Sequence, residues 1–163
     1  MERTLVEALF ARYRAPVYHF LCRLLRDRAA AEDLTQDVFV RALAADYHAD
    51  DRERAWVFQI ARNLARDHVR KAAHRGATLE STDEPGPFVD RDVALAVQAA
   101  IDELHEDERE MFLLREVAGL SYREIADSCH VTADAVRNRL HRARLALRQA
   151  LSTNVTRFSR ARP

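Results

Sequence analysis

The sequence predicts an all-α protein built as two small helical domains joined by a flexible acidic linker, and three observations carry that reading. Only three glycines and four prolines occur in 163 residues, so helix breakers are scarce. Apolar side chains recur at steps of three and four over long stretches rich in Ala, Leu, Arg and Glu. The segment GATLESTDEPGPFVD, 76–90, concentrates two of the glycines and two of the prolines with net negative charge. The expected division is therefore a first domain over 1–75, a linker over 76–91, a second domain over 92–155 and a basic tail over 156–163. Each half is near the lower size at which one core suffices, so the two are expected to be modestly stable and to reorient about the linker.

Taken in order, Thr4 and Glu7 form a capping box, and Leu5, Leu9, Tyr13, Val17, Phe20, Leu21 and Leu24 continue an apolar stripe in which Pro16 predicts a kink or restart. A second helix is predicted over about 29–45, burying Leu34, Val38, Ala42 and Leu43. After a polar loop, Asp46 to Arg52, a third helix runs from about Arg54 to His74 with Trp56, Ile60, Leu64 and Val69 inward. Beyond the linker, Val93, Val97, Ala100, Ile101 and Leu104 define an amphipathic helix, and Asp107 to Val117 another that Gly119 stops.

Composition excludes several classes. With 48% hydrophobic and 32% charged residues at zero net charge, the chain is neither a membrane protein nor wholly disordered. No uncharged apolar run is long enough to span a bilayer, and the charged start, Met1 to Arg12, lacks the apolar core of a secretory signal. A cytoplasmic location is expected. Cys22 and Cys129 stand far apart and fit no CxxC spacing, so buried thiols are expected. There is no HExxH and no glycine-rich phosphate loop, and adjacent Cys129 and His130 are poorly spaced to share a metal ion. Neither an enzyme, a cofactor nor a metal site is expected.

Zero net charge conceals segregation. From Thr132 to Pro163 there are eight arginines against one acid, Asp134, whereas Thr78 to Glu110 holds eleven acids against two arginines. Such a chain presents opposite surfaces to opposite partners. The sharpest local signal runs from Ser121 to Leu151. Ser121 with Glu124 makes a capping box, Ile125 and Ala126 face inward, and the helix ends near Cys129 and His130. Thr132 caps the next helix, whose Val136, Leu140, Ala143, Leu147 and Leu151 share one face while Arg137, Asn138, His141, Arg142 and Arg148 occupy the other. This is a helix-turn-helix pattern, and its second helix has the donors to read a major groove. The third helix of the first half carries Arg62, Arg66 and Arg70 every four residues, with Gln59, Asn63, Trp56 and Phe58 nearby. Arginines with amides and rings suit a single strand, although a solvated face explains this helix alone equally well. On the preceding helix, Glu32, Asp33, Gln36 and Asp37 present acid that repels DNA and so must meet water or a protein.

AEDLTQDVFVRAL followed by RAWVFQIARNLARDHVRK resembles region two of the extracytoplasmic-function (group IV) sigma factors of bacterial RNA polymerase, of the sigma-70 family. LLREVAGLSYREIADSCHVTADAVRNRLHRARLALRQAL resembles their region four, in the same order and with the linker between. The resemblance implies that Asp33, Gln36, Asp37 and Arg41 dock on the clamp helices of the largest polymerase subunit, with the second half meeting the flap of the second-largest subunit. It implies that Trp56, Gln59, Arg62, Asn63, Arg66 and Arg70, with the loop Tyr47 to Arg54, open and hold the minus-ten element as single strand. It further implies that Ser121, Tyr122, Thr132, Asp134, Arg137, Asn138, His141 and Arg142 serve the minus-thirty-five duplex. The acidic linker then resembles the segment threading the polymerase cleft. An alternative initiation factor of stress response follows, with core RNA polymerase, duplex and single-stranded promoter DNA and an anti-sigma factor as partners. A membrane-bound anti-sigma factor would hold it at the inner membrane face. Asp134 and Ala135 depart from the glycine and threonine of many relatives, and His130 stands where glycine is usual. The competing reading is a dimeric helix-turn-helix regulator acting on palindromic duplex without polymerase.

Overall fold

The computed structural model describes residues 3–45, 52–76 and 91–160. These form seven helices: α1 (Arg3–Leu25), α2 (Arg28–Ala44), α3 (Glu53–His74), α4 (Arg91–Asp102), α5 (Glu106–Glu116), α6 (Tyr122–Cys129) and α7 (Ala133–Arg160), with no strand among the described residues. The all-α expectation holds. The linker expected over 76–91 and the loop Asp46 to Arg52 fall almost wholly outside the described residues, as does the Thr4 side chain of the expected capping box.

α1 runs through Pro16 as one helix, so the restart expected there does not occur. Proline removes one helical donor, but the carbonyl thereby released belongs to Arg12, whose residue is exposed. Leu9, Tyr13, Val17, Phe20 and Leu21 form its buried stripe. Asp27 caps α2 by accepting from the Ala30 amide at 3.0 Å. Ala31, Leu34, Val38 and Ala42 then turn inward at steps of three and four, so Leu43, one residue off that register, is 48% exposed rather than buried. In α3 the inward face is rotated by about one position from the expected one. Val57, Phe58, Ala61, Leu64 and Ala65 are buried, Trp56 and Ile60 only partly so, and Val69 is exposed. Phe58, expected beside nucleic acid, instead meets Phe20 edge-on in the core with ring centroids 5.6 Å apart.

In the second half Ala100, Ile101 and Leu104 are buried, but Val93 is exposed and Gln98 takes an inward place. Arg109 closes the end of α4 by donating to the carbonyls of Ile101 at 3.2 Å and Leu104 at 3.1 Å, and to that of Asp102. Gly119, at φ +70, ends the α5 turn as expected, and the Leu120 amide reaches back to the Leu114 carbonyl. The Ser121–Glu124 capping box opens α6, and Thr132 accepts from the Ala135 amide at 3.1 Å to open α7. Between them His130 itself adopts the left-handed conformation, at φ 56, that glycine ordinarily fills. α7 continues to Arg160, into the span expected to be a tail.

The buried side chains of α1–α3 and α4–α7 form one continuous cluster, so in this structure the halves pack on each other. Arg23 donates to Gln98 Oε1 at 2.7 Å, Arg26 pairs with Asp102 at 3.3 Å, and Arg52 donates to Asp127 at 2.8 Å. Phe58→Ala removes the ring that joins α3 to α1. It should cost about 3–5 kcal/mol in urea unfolding, and a loss below about 1 kcal/mol would contradict the core position.

Candidate nucleic-acid interface

Three surfaces carry the predicted site residues. On α2 the burial of Leu34, Val38 and Ala42 leaves Asp33, Gln36, Asp37 and Arg41 on the outer side, all exposed, beside Val40 at 64% exposure. The structure therefore brings these four together as an acidic face edged with apolar surface.

On α3 the predicted stripe divides. Asn63 and Arg70 point outward, and Arg70 pairs with Asp67 at 2.8 Å. Arg62 does not: it is 6% exposed, so its expected place on an accessible strand-binding face is corrected. Its Nε donates to Glu110 Oε1 and its Nη1 to the Ser128 carbonyl at 2.9 Å. Arg66 sends Nη2 and Nε to Glu110 Oε2 at 2.6 and 3.2 Å, and that bond holds its proton more tightly than usual. Trp56 and Gln59 line a cleft with Arg52 on one side and Glu124, Asp127 and Ser128 on the other. Four of the six residues assigned to α3 thus face the second half of the chain.

The helix-turn-helix is built as its local signals require. Ile125, Val136, Leu140, Ala143 and Leu147 lock α6 and α7 together, and Arg137, Asn138, His141 and Arg142 are exposed on the outer side of α7. Asp134 pairs with Arg137 one turn on, and Glu108 of α5 accepts from Arg142 at 2.8 Å. The Ser121 hydroxyl is engaged in its cap, accepting from the Glu124 amide, and Thr132 likewise. The Tyr122 hydroxyl accepts from Arg144 at 3.2 Å, which together with Glu116 secures the Arg144 proton, while Arg115 lies over its ring. These three residues shape the motif; the outward donors come from α7.

Sequence reading missed Glu110 and Gln98. Both carry a helical signal: Glu110 precedes buried Leu113 and Leu114 by three and four, and Gln98 stands four after Ala94 and three before Ile101. A polar side chain in an apolar register needs a partner, and each finds an arginine of the first half. Arg62 carried the same signal, four after Phe58 and three before Ala65. Among the described residues no cluster of three or more His, Cys, Asp or Glu side chains could hold a metal ion, and no helix is long and apolar enough to cross a membrane.

Comparison with known proteins agrees with this geometry. Residues 9–75 match the model for sigma-70 region 2 and residues 94–147 that for sigma-70, region 4. The chain is 35% identical over 153 residues to RNA polymerase sigma factor CarQ of Myxococcus xanthus, covering 89% of this chain and 88% of that one. It is 33% identical over 151 residues to ECF RNA polymerase sigma factor SigC of Mycobacterium tuberculosis, covering 87% and 80%. Among solved structures it resembles the sigma factor RpoE in complex with the anti-sigma factor NepR from Bartonella quintana, with TM-score 0.77, 26% identity and coverage of 90% and 96%. It also resembles CnrH in complex with the cytosolic domain of CnrY, with TM-score 0.72, 26% identity and coverage of 93% and 90%.

Cys129 reports on the junction between the halves. Burial pushes its thiol above the ordinary range and Glu110 adds to that, while Arg62 and Arg66 oppose it. Because the thiolate is the reactive species, alkylation of Cys129 followed by mass spectrometry should rise only at pH above that of an unperturbed thiol. A midpoint at or below about 8.5 would contradict this environment.

Proposed function

The chain belongs to the extracytoplasmic-function sigma factors of RNA polymerase, and from that premise we propose which of its surfaces perform each step of initiation. As a sigma factor it binds core RNA polymerase, directs it to promoters through minus-thirty-five and minus-ten elements and promotes melting; the phosphoryl chemistry is the polymerase's. Asp33, Gln36, Asp37 and Arg41 of α2 meet the clamp helices of the largest subunit, where exposed carboxylates steer toward basic partners and repel DNA. The second half meets the flap of the second-largest subunit.

Arg137, Asn138, His141 and Arg142 of α7 enter the major groove of the minus-thirty-five duplex, arginine pairing with guanine and asparagine with adenine. Ser121, Tyr122 and Thr132 hold the motif in shape, and Asp134 aims Arg137 through their pair. Trp56, Gln59, Asn63, Arg66 and Arg70 take the minus-ten strand, amides and the ring meeting unstacked bases while the two arginines hold phosphates; Arg62, buried against Glu110, lies behind that face. An anti-sigma factor controls the protein, a reading supported by the structural relatives bound to such partners; a membrane-anchored one would hold it at the cytoplasmic face of the inner membrane.

The observation that carries this assignment is the coexistence in one chain of an exposed arginine-rich helix-turn-helix and a separate acidic face on α2. In vitro transcription with core polymerase on a library of genomic fragments should give discrete start sites that depend on the chain. Asp33→Arg with Asp37→Arg should abolish co-purification with core at unchanged circular dichroism; retained binding would remove α2 from the interface. Arg137→Ala should cost about 1–3 kcal/mol on the preferred minus-thirty-five sequence and little on scrambled sequence. Equal losses on both would make Arg137 a phosphate anchor.

A further inference from the structure

We propose that Glu108 is a specificity-determining positioning residue: by holding Arg142 through its Nε, it makes that arginine a reader of guanine in the minus-thirty-five duplex instead of a phosphate anchor. The inference rests on the assignment of α7 to that duplex, and adds to it a residue that need not meet DNA. Glu108 Oε1 accepts from Arg142 Nε at 2.8 Å, from a different helix and across 34 residues of chain. The two partners are unequally placed. The carboxylate side chain is sheltered, at 16% exposure, while that of Arg142 is 63% exposed. Packing sets where the carboxylate stands, because Met111 and Leu114 of α5 share one buried cluster with Leu140 and Ala143 of α7. The bond leaves both terminal nitrogens of Arg142 without a partner among the described residues. Two N–H groups side by side on one guanidinium edge form the fork that guanine O6 and N7 accept. Arg137 differs: its partner Asp134 sits on the same helix, is 82% exposed and engages Nη1, a nitrogen of that fork.

Two consequences of this geometry favour a base over a phosphate. An unheld arginine gives up its rotamer freedom when it is ordered on DNA, whereas one already held has less to lose. Charge supplies the discrimination. A phosphate approaching Arg142 meets a carboxylate beside it, so phosphate capture either suffers that repulsion or breaks the pair. A guanine edge carries no net charge and is met with the pair intact. Glu108 therefore acts by penalising the wrong partner as well as by presenting the right fork. The same acid lowers affinity for duplex of any sequence, because a cation withheld from phosphate releases fewer counterions on binding. Asn138 and His141, exposed beside Arg142 on α7, add their own donors to a surface whose reading no longer depends on charge alone.

The test takes a promoter used by the wild-type holoenzyme, randomises its minus-thirty-five element, and sequences the templates bound by core polymerase carrying each full-length variant. Arg142→Ala should erase a preference of about tenfold for guanine at one base pair and leave the other positions in place. Glu108→Ala should reduce the preference at that same base pair to about threefold or less, while binding to the pool as a whole holds or rises because the cation remains. Salt separates the two variants. The slope of log affinity against log salt should become shallower by about one for Arg142→Ala, and stay or steepen for Glu108→Ala. The double variant should discriminate no worse than Arg142→Ala alone, the coupling expected of a residue that acts through its partner. Glu106→Ala, exposed on the same turn of α5, controls for the lost charge and should match the wild type. Full preference retained in Glu108→Ala would overturn the proposal, as would a Glu108→Ala loss spread over every base pair, the mark of a merely structural role. Arg142→Ala weakening all sequences alike would also overturn it, making Arg142 a phosphate anchor. If Arg142→Ala, Arg137→Ala and Asn138→Ala all leave binding and preference untouched, the assignment of α7 to the duplex fails instead.

Discussion

Within the apolar cluster that runs through both halves, the constraint around which the rest is arranged is one buried ion pair, Arg62 with Glu110, each under a tenth exposed. Two charges withdrawn from water need their remaining hydrogen-bonding capacity satisfied. The structure does this by drawing in Arg66 on the second carboxylate oxygen and the Ser128 carbonyl on the guanidinium. α3, α5 and α6 are thereby brought to one junction. The other polar contacts of the seam repeat the pattern, with Arg23, Arg26 and Arg52 of the first half meeting Gln98, Asp102 and Asp127 of the second. An exposed ion pair such as Arg52 with Asp127 contributes about 0–1 kcal/mol, so it aligns the seam more than it holds it.

The charge segregation along the chain acquires a second meaning from this arrangement. Acids of the 78–110 stretch look like a surface for a cationic partner, yet Asp102 and Glu110 are engaged by the chain's own arginines. Acids of α5 do the same for α7, where Glu108 takes Arg142, Glu116 takes Arg144 and Asp107 stands 3.9 Å from Arg139. Arginines that would otherwise present their full charge to solvent are paired with carboxylates of the same chain. Since these surface pairs are worth little, a polyanion with its counterion release can displace them.

The helix-turn-helix shows how far local chemistry constrains a motif. Ser121 with Glu124 and Thr132 with Ala135 define both helix starts, and the turn survives without its usual glycine because His130 takes the left-handed backbone. That conformation costs about 1 kcal/mol or more in a residue with a Cβ, and the packing of Ile125, Val136 and Leu140 supplies the constraint that holds it.

Helices, caps and most of the core were legible in the sequence because their causes are local: three-and-four periodicity, Ser–Glu and Thr caps, a glycine where φ must be positive. The sigma-70 family was legible too, because two motif blocks stood in order. The exposed acidic face of α2 and the outward face of α7 follow from those periodicities directly. What periodicity could not settle was the angular phase of α3, where Phe58 rather than Trp56 belongs to the core and Val69 does not. A stripe that alternates apolar and basic residues has two nearly equivalent inward faces, and the choice is made by Phe20 and the α1 surface it must meet. Nor could it reveal which side chain meets Arg62, because its partner Glu110 lies 48 residues away across the linker. Residue types and helical register by themselves determine what each helix can do; only the pairing of distant polar side chains at one seam, a tertiary event, decided which of those surfaces the free chain exposes.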